Sequence, residues 1–222
     1  VVYEATGRYH RDLERDLEKA GHGLVKVNPA RARRFAQATG RTAKTDRVDA
    51  EMLARMGSLL DLEAKPIKTE EMHEIKELHV ARVGLIKDLT ACRNRLGTAR
   101  NKLVLALLRA RYRQIKSQIA QIDAELRNRI TADPELARRY DILTSVPGIG
   151  PVAASAMIIE MPELGAMNAK EVASLAGLAP VTRQSGTWKG KARISGGRSA
   201  LRATLFMPAV IATRYNEPLK KT

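Results

Sequence analysis

The feature that most constrains the fold is a charged, proline-free stretch from Lys68 to about Ile130. Apolar residues recur along it at three- and four-residue steps, which is the period of one helix face. They are Ile75, Leu78, Ile86, Leu89, Leu96, Leu103, Ile115, Ile119, Ile122 and Leu126. Such a helix must bury its apolar seam, so the pattern predicts a coiled-coil arm or helical hairpin over residues 66–131, paired within or between chains.

The residues before the arm, 1–65, have the pattern of a small α/β domain. Two short apolar runs, at residues 1–4 and 23–27, are typical of strands. Helical spacing and end signals predict helices from Arg8 to Ala20, from Pro29 to about Thr39, and from about Thr45 to Leu60. Strand-helix-strand-helix-helix is the order of an α/β layer.

The residues after the arm, 132–222, are predicted to form a mostly helical domain. Asp133-Pro134 has the form of a helix cap followed by a first-turn proline, and residues 168–171 have the form of a capping box. Residues 177–200 are rich in Gly, Ser, Arg and Lys and are interpreted as a loop. The pattern is helical again from Arg198 to Tyr215.

Charge restricts the class of partner. The chain carries 39 Lys and Arg against 24 Asp and Glu, a net charge of +15, which favours a polyanion such as nucleic acid. An anionic membrane is the rival, but no run of eighteen apolar residues and no signal peptide is visible. The single Cys92 cannot form an internal disulfide, so we expect a cytoplasmic protein.

Three carboxylates are candidates for a metal site. Asp46 and Asp49 lie three residues apart on one predicted helix face, and Glu4 ends the first predicted strand. Ligands collect at the carboxyl ends of strands in α/β layers, and Mg²⁺ prefers oxygen ligands. The alternative is that Asp46 stabilises a helix N-terminus and that both aspartates are solvated surface.

A proline-glycine turn between two predicted helices is a candidate DNA-binding element. Pro147, Gly148, Ile149 and Gly150 form the turn, and a helix starts directly after them. The free N–H groups of that helix and its dipole could bind a DNA phosphate without reading sequence, as in a helix-hairpin-helix. The alternative is an ordinary corner between two helices.

A serine in the most basic loop is a candidate nucleophile. Ser185 lies where six Lys or Arg and no acid occur between positions 183 and 202. The cations could stabilise charge on a phosphate that the serine attacks, and Trp188 could stack on a base or sugar. The candidate DNA contacts are Arg183, Trp188, Lys189, Lys191, Arg193 and Arg198. The alternative is a turn residue or a simple phosphate contact, and no local His is present to act as a base.

Two long stretches carry a resemblance to a known family. The first, VVYEATGRYHRDLERDLEKAGH with VNPARARRFAQATGRTAKTDRVDA, resembles the RuvC-like DEDD domain of a group of bacterial insertion-sequence transposases. The second, LTSVPGIGPVAASAMIIEMPELG with LAGLAPVTRQSGTWKGKARISGGRSALRATLFMPA, is similar to the serine-bearing domain of the same group. The resemblance implies a partial RuvC/RNase H-like layer, a coiled-coil arm, and a mostly α domain with a helix-hairpin-helix.

The family consists of bridge-RNA-guided recombinases, and its roles map onto this chain by position. Glu4, Asp46 and Asp49 match three of the four catalytic, metal-binding carboxylates, and Ser185 matches the serine. The resemblance implies DNA strand cleavage and exchange with Mg²⁺ or Mn²⁺, a structured guide RNA, a dimer or tetramer, and a place at the bacterial nucleoid. The family's first aspartate precedes Val1 and its last helices follow Thr222, so we expect a chain truncated at both ends, and the activity of such a fragment stays open.

Two other functions remain open at this point. One is a non-catalytic protein that coats or bridges DNA through the hairpin and the basic loop, with the arm used for assembly. The other is a RuvC-type junction nuclease without serine chemistry. The DNA target, the RNA sequence and the oligomeric number are not encoded in any pattern that we recognise.

Overall fold

The computed structural model describes residues 1–4, 10–40, 45–64 and 69–220, which are mostly helical. The chain divides into two compact units, residues 1–69 and residues 70–222. In the described part of the chain, every helix is too short or too polar to cross a bilayer.

The first unit contains two parallel strands and three helices. Its elements are β1 (Val2–Glu4), α1 (His10–Lys19), β2 (Val25–Val27), α2 (Pro29–Ala38) and α3 (Asp46–Leu59). The strands pair in register, with Glu4 opposite Val27. The prediction of two strands and three helices is therefore confirmed, whereas their identity as a RuvC-like layer stays a prediction.

The core of the first unit lies between β2, α2 and α3. Val27, Ala32, Met52 and Met56 form its buried cluster. The third helix also packs against β1, because a Cβ added at Gly57 would come within 2.6 Å of a Val2 methyl carbon.

The second unit consists of seven helices and four very short strands among its described residues. The helices are α4 (Glu70–Thr98), α5 (Lys102–Ala132), α6 (Pro134–Thr144), α7 (Pro151–Glu160), α8 (Ala169–Ala176), α9 (Ser199–Tyr215) and α10 (Glu217–Lys220). The strands are β3 (Pro180–Val181), β4 (Gln184–Ser185), β5 (Trp188–Lys189) and β6 (Arg193–Ile194).

The arm is a helical hairpin formed by α4 and α5 of the same chain. Cys92, Ile115 and Ile119 form the buried seam of its outer half. The second helix starts at the Asn101 cap, whose side chain accepts hydrogen bonds from the N–H groups of Leu103 and Val104. Of the two arrangements left open by the sequence, an intrachain pairing is the one observed.

The base of the arm shares a core with the helices that follow it. Ile75 of α4 and Ile130 of α5 are fully buried against Leu136 of α6 and Ile158 of α7. The predicted caps that start these helices are present, since the Asp133 carboxylate accepts hydrogen bonds from two N–H groups of α6. Asn168 and Glu171 likewise form the predicted capping box of α8.

Candidate active site

The three predicted metal ligands line one open groove in the first unit. Glu4 ends β1, and Asp46 and Asp49 lie in the first turn of α3, where the Thr45 side chain accepts a hydrogen bond from the N–H of Val48. Arg33 and Arg34 of α2 line the same groove, so cations face the carboxylates. The groove therefore combines oxygen ligands for a cation with guanidinium groups that suit a phosphate.

These carboxylates share the groove without forming a closed metal centre. Across residues 1–4, 10–40, 45–64 and 69–220, no three His, Cys, Asp or Glu side chains come close enough together to hold a metal ion. The donor type fits Mg²⁺ or Mn²⁺, which bind carboxylate oxygens, but the ligands are not assembled. The metal-binding role of Glu4, Asp46 and Asp49 therefore stays a prediction.

The opposite face of β1 carries a buried polar cluster that the sequence did not reveal. Because side chains alternate along a strand, Tyr3 points away from Glu4. Its hydroxyl donates a hydrogen bond to the buried carboxylate of Glu14, and Lys26 Nζ donates to the same oxygen at 3.0 Å. Burial alone would raise the pKa of Glu14, but the hydrogen bonds from Tyr3 and Lys26 outweigh it and lower that pKa.

Ser185 lies at the tip of a nested double hairpin, which we call the serine hairpin (residues 178–195). The outer strands β3 and β6 pair antiparallel, and so do the inner strands β4 and β5. Ser185 is paired with Trp188 across a two-residue turn, whose first residue, Gly186, has φ +58°. This segment was predicted to be a loop; the finding is a correction, since it contains two short antiparallel ladders.

The tip of the serine hairpin is open to solvent and strongly cationic. Ser185 is exposed, and Trp188 exposes 60% of its surface while its ring lies over Gly190, where an added Cβ would be 2.4 Å from the ring. Four exposed cations surround this tip and have no ion pair among the described residues; they are Arg183, Lys189, Lys191 and Arg193. These four predicted contacts are thus free to meet a phosphate.

The two ends of the serine hairpin meet in a glycine neck formed by Gly177, Gly196 and Gly197. A Cβ added at Gly197 would be 2.2 Å from the backbone nitrogen of Gly177, so only glycine fits. Arg202 Nη1 donates to the carbonyls of Gly177 at 3.2 Å and Gly196 at 3.0 Å, which ties the two ends together. The neck fixes where the hairpin leaves the packed helices α6, α7, α8 and α9, which we call the helical body.

Arg198 anchors the same neck to the helical body. Its guanidinium forms two hydrogen bonds of 2.7 Å with the carboxylate of Glu163 and one of 2.7 Å with the carbonyl of Glu160. The Glu163 hydrogen bond, together with its charge, raises the pKa of Arg198 despite partial burial. Arg198 was predicted as a DNA contact; its side chain has these internal acceptors, and the DNA contact stays a prediction.

The turn between α6 and α7 contains the four residues predicted for a helix-hairpin-helix. Gly148 has φ +104°, and an added Cβ there would be 3.0 Å from the Pro208 carbonyl of α9, so the turn packs against that helix. Gly150 precedes α7 without a side-chain cap and faces open space. The two helices and the turn are present, while phosphate binding by Pro147, Gly148, Ile149 and Gly150 stays a prediction.

Sequence reasoning missed Glu163, Arg202 and Glu14, whose partners lie 35, 25 and 11 residues away. Pairs at such separations follow from the tertiary fold and leave no local spacing signal. The one sequence signal is that no Asp or Glu occurs between positions 183 and 202, so a carboxylate partner of Arg198 has to come from another part of the chain.

Comparisons with known proteins match both units. A family model described as "Transposase IS116/IS110/IS902 family" matches residues 140–222, and a second, described as "Transposase" and designated DEDD_Tnp_IS110, matches residues 1–104. The chain is similar to the pilin gene-inverting protein of Moraxella bovis, at 31% identity over 216 residues, covering 96% of this chain and 67% of the relative. The Moraxella lacunata protein of the same description gives the same figures.

A more distant similarity is to the transposase for insertion sequence element IS1328 of Yersinia enterocolitica. It is 24% identical over 219 residues, which cover 85% of this chain and 60% of that protein. The chain thus spans about two thirds of the length of the curated relatives it matches.

Proposed function

The chain belongs to the IS116/IS110/IS902 family of transposases, and from that premise we propose that Ser185 is the nucleophile that cleaves DNA. The observation that carries this proposal is the placement of Ser185. Its hydroxyl lies at the exposed tip of the serine hairpin, among four cations without ion-pair partners in the described structure. A nucleophile for a polymer must project from the surface, because the duplex cannot enter a closed pocket.

The chemistry is a pair of phosphoryl transfers. The Ser185 hydroxyl gives up its proton as its oxygen attacks a DNA phosphorus, and a phosphoserine bond forms while the phosphorus–sugar oxygen bond breaks. The displaced sugar oxygen takes up one proton and leaves as a hydroxyl, so the transfer involves no net gain or loss of protons. Attack by the hydroxyl of a second strand reverses these steps and restores the serine. Lys189 and Arg183 stabilise the negative charge that develops on the phosphate in each transfer.

The groove of the first unit contributes the acidic half of the site. Glu4, Asp46 and Asp49 would hold Mg²⁺ or Mn²⁺, which can activate a hydroxyl and stabilise a leaving oxygen. Arg33 and Arg34 would position the phosphate in the same groove. We propose that these residues meet the serine of another copy of the chain in a dimer or tetramer, and that a guide RNA selects the DNA.

The turn between α6 and α7 serves as a sequence-independent clamp in this proposal. The uncapped N-terminus of α7 offers N–H groups to a phosphate, and it belongs to the same unit as the serine hairpin. Affinity from this clamp falls with salt, because each phosphate contact releases counterions.

The test traps the covalent intermediate. The full-length protein is incubated with its RNA, Mg²⁺ and end-labelled DNA of the element's termini, and a protein–DNA adduct is sought after denaturation. We expect Ser185→Ala to abolish the adduct and to lower strand exchange at least about 10³-fold, with DNA affinity retained. Ser195→Ala is the matched control, since it removes an exposed serine from the same basic segment.

The groove is tested in the same reaction with Asp46→Asn. Asp12→Asn is its control, because Asp12 also lies in the first turn of a helix but outside the groove. Equal activity of these two variants would reduce Asp46 to a helix-stabilising residue. If Ser185→Ala cleaved DNA as fast as the wild type and neither protein formed an adduct, the protein would be a junction nuclease. If the wild type and all variants bound DNA without cleaving it, the protein would be a DNA-coating protein.

A further inference from the structure

Charge is segregated along the arm. Residues 89–122 contain eight Lys or Arg and no Asp or Glu, and we call this part the cationic arm tip. Its cations are Arg93, Arg95, Arg100, Lys102, Arg109, Arg111, Arg113 and Lys116. By contrast, residues 70–88 at the base carry five acids against three Lys or Arg, so the arm changes sign along its length.

The cations of the tip are available to a partner. All eight side chains are exposed, and none forms an ion pair within residues 69–220. At the base the cations are used internally: Arg82 pairs with Asp123 across the two helices, and Arg129 pairs with Glu125 and Glu74. The internal ion pairs that hold the base together therefore have no counterpart in the tip.

Part of this charge forms a straight stripe on α5. Lys102, Arg109, Arg113 and Lys116 follow at steps of seven, four and three residues, which places them on one helix face. The 1.5 Å rise per residue gives the stripe a length of about 21 Å. The seam residues Ile115 and Ile119 are buried against α4, so the stripe is not needed for packing.

The arrangement costs stability, since like charges at i and i+4 repel each other on a helix. Arg109 and Arg113 are such a pair. A line of unpaired cations matches a line of phosphates, whereas a protein surface usually presents both signs of charge. The partner best matched by this surface is a phosphodiester backbone.

We propose that the cationic arm tip is a third nucleic-acid-binding surface, besides the serine hairpin and the α6–α7 turn. It contacts the sugar-phosphate backbone of duplex DNA, the polyanion that a transposase acts on. The inference rests on the proposed function only in assuming that the protein acts on nucleic acid, and it is independent of Ser185 chemistry. The arm thereby holds the polyanion away from the helical body.

The test compares two triple variants of equal charge change in the full-length protein. Arg109→Gln/Arg113→Gln/Lys116→Gln removes three cations of the stripe. Lys87→Gln/Arg127→Gln/Arg138→Gln removes three exposed helical cations outside the tip. Glutamine keeps helix propensity, and circular dichroism melts verify that both proteins fold.

Affinity is measured against a 40-base-pair DNA duplex and, separately, against a structured RNA, from about 50 to 300 mM salt. We expect the tip variant to bind the DNA duplex at least about tenfold more weakly than the control variant does. Its slope of log K against log salt should be smaller by about 2 to 3, since each lost phosphate contact removes about 0.7 to 0.9. A loss of affinity for the structured RNA with none for the duplex would overturn the assignment to DNA.

Equal affinities and slopes for the tip and control variants with both ligands would overturn the proposal. So would unchanged nucleic-acid binding with a loss of oligomer in sedimentation, which would assign the tip to an acidic surface of a second copy. Ser185→Ala should leave these affinities unchanged. Failure of the serine chemistry and failure of the arm proposal are therefore distinguishable.

Discussion

The serine hairpin and the carboxylate groove hold their candidate residues in different ways. The hairpin consists of four two-residue strands, yet its neck is fixed by Arg198, Arg202 and a glycine contact that excludes any side chain. The groove is built on longer helices and a buried core, yet its three carboxylates stay apart. Positioning is thus strong at the neck and weak in the groove.

The difference indicates what positions the functional residues in the serine hairpin and in the carboxylate groove. The serine is preorganised by contacts within the chain, so substitutions at the neck should act on it at a distance. Carboxylates that are brought together repel one another, so in the proposed site a cation would have to bind before Glu4, Asp46 and Asp49 converge. Variants that loosen the neck, and pH changes that affect the stability of one unit but not of the other, test this contrast.

The largest effect is expected from Gly197→Ala. The new Cβ would lie 2.2 Å from the Gly177 nitrogen, at a residue with φ +64°, so the neck must open. We expect a loss of about 2–4 kcal/mol in the free energy of unfolding of the second unit and a loss of strand exchange. Urea denaturation and the adduct assay measure the two effects.

Gly196→Ala provides the control for that substitution. Gly196 has a similar φ of +71°, but nothing lies within 4 Å of its added Cβ. It should therefore cost only the backbone strain, about 1 kcal/mol, and leave the hairpin in place. If the two alanines were equally harmful, the close contact at the neck would not be what orders the serine.

A smaller effect is expected from Arg198→Lys. Lysine keeps the charge but cannot form the two parallel hydrogen bonds with Glu163. We expect about 1 kcal/mol of destabilisation and roughly tenfold slower strand exchange, with unchanged affinity for nonspecific DNA. Arg193→Lys, on the exposed strand, should change neither stability nor rate by as much.

The measurement also separates two roles for Arg198. A weaker affinity with an altered salt slope would restore the sequence interpretation of Arg198 as a phosphate contact. A slower reaction at constant affinity supports the anchoring role that its partners indicate.

Local signals explain which parts of this fold could be predicted. The start of α3 at Asp46, the start of α6 after Asp133 and the capping box of α8 each depend on residues within four positions of one another. The amphipathic period predicted an arm or a hairpin, but the position of the break before α5 was not predicted, although Asn101 is a typical cap. Placement of three carboxylates in one groove agrees with the expectation for strand and helix ends.

The features that could not be predicted depend on strand register and on partners that are distant in sequence. The ladders of the serine hairpin join residues such as Val181 and Arg193 across a glycine-rich segment, whose composition disfavours strands. The burial of Glu14 was not predictable from its residue type either. Its neighbour Leu13 is apolar and would be expected to be buried, yet 47% of its surface is exposed. The hydrogen bonds that Glu14 accepts from Tyr3 and Lys26 explain why it, and not Leu13, points inward.

The smallest predicted effects concern pH, where the two units differ. In the second unit His79 of α4 is buried, and its Nε2 lies 3.7 Å from Glu160 Oε1 of α7. Burial lowers the pKa of His79; Glu160 partly offsets this, and Arg82 and Lys76 lower it further. Asp123, Arg127 and Tyr140 line the small cavity beside it.

A histidine with a lowered pKa in the folded state destabilises that state when it is protonated. The unfolded chain then binds more protons below about pH 6.5, so the second unit should lose stability as pH falls from 7 to 5. Glu14 also has a lowered pKa, but its contribution to the stability of the first unit is lost only below about pH 4.3, so that unit should be insensitive to pH between 7 and 5.

Urea denaturation of wild type and His79→Gln between pH 7 and 5, followed by Trp188 fluorescence and circular dichroism, measures this pH dependence. If the free energy of unfolding of His79→Gln fell between pH 7 and 5 as steeply as that of the wild type, a group other than His79 would be responsible for the pH dependence. If Glu14→Gln abolished the pH dependence, the responsible group would lie in the first unit.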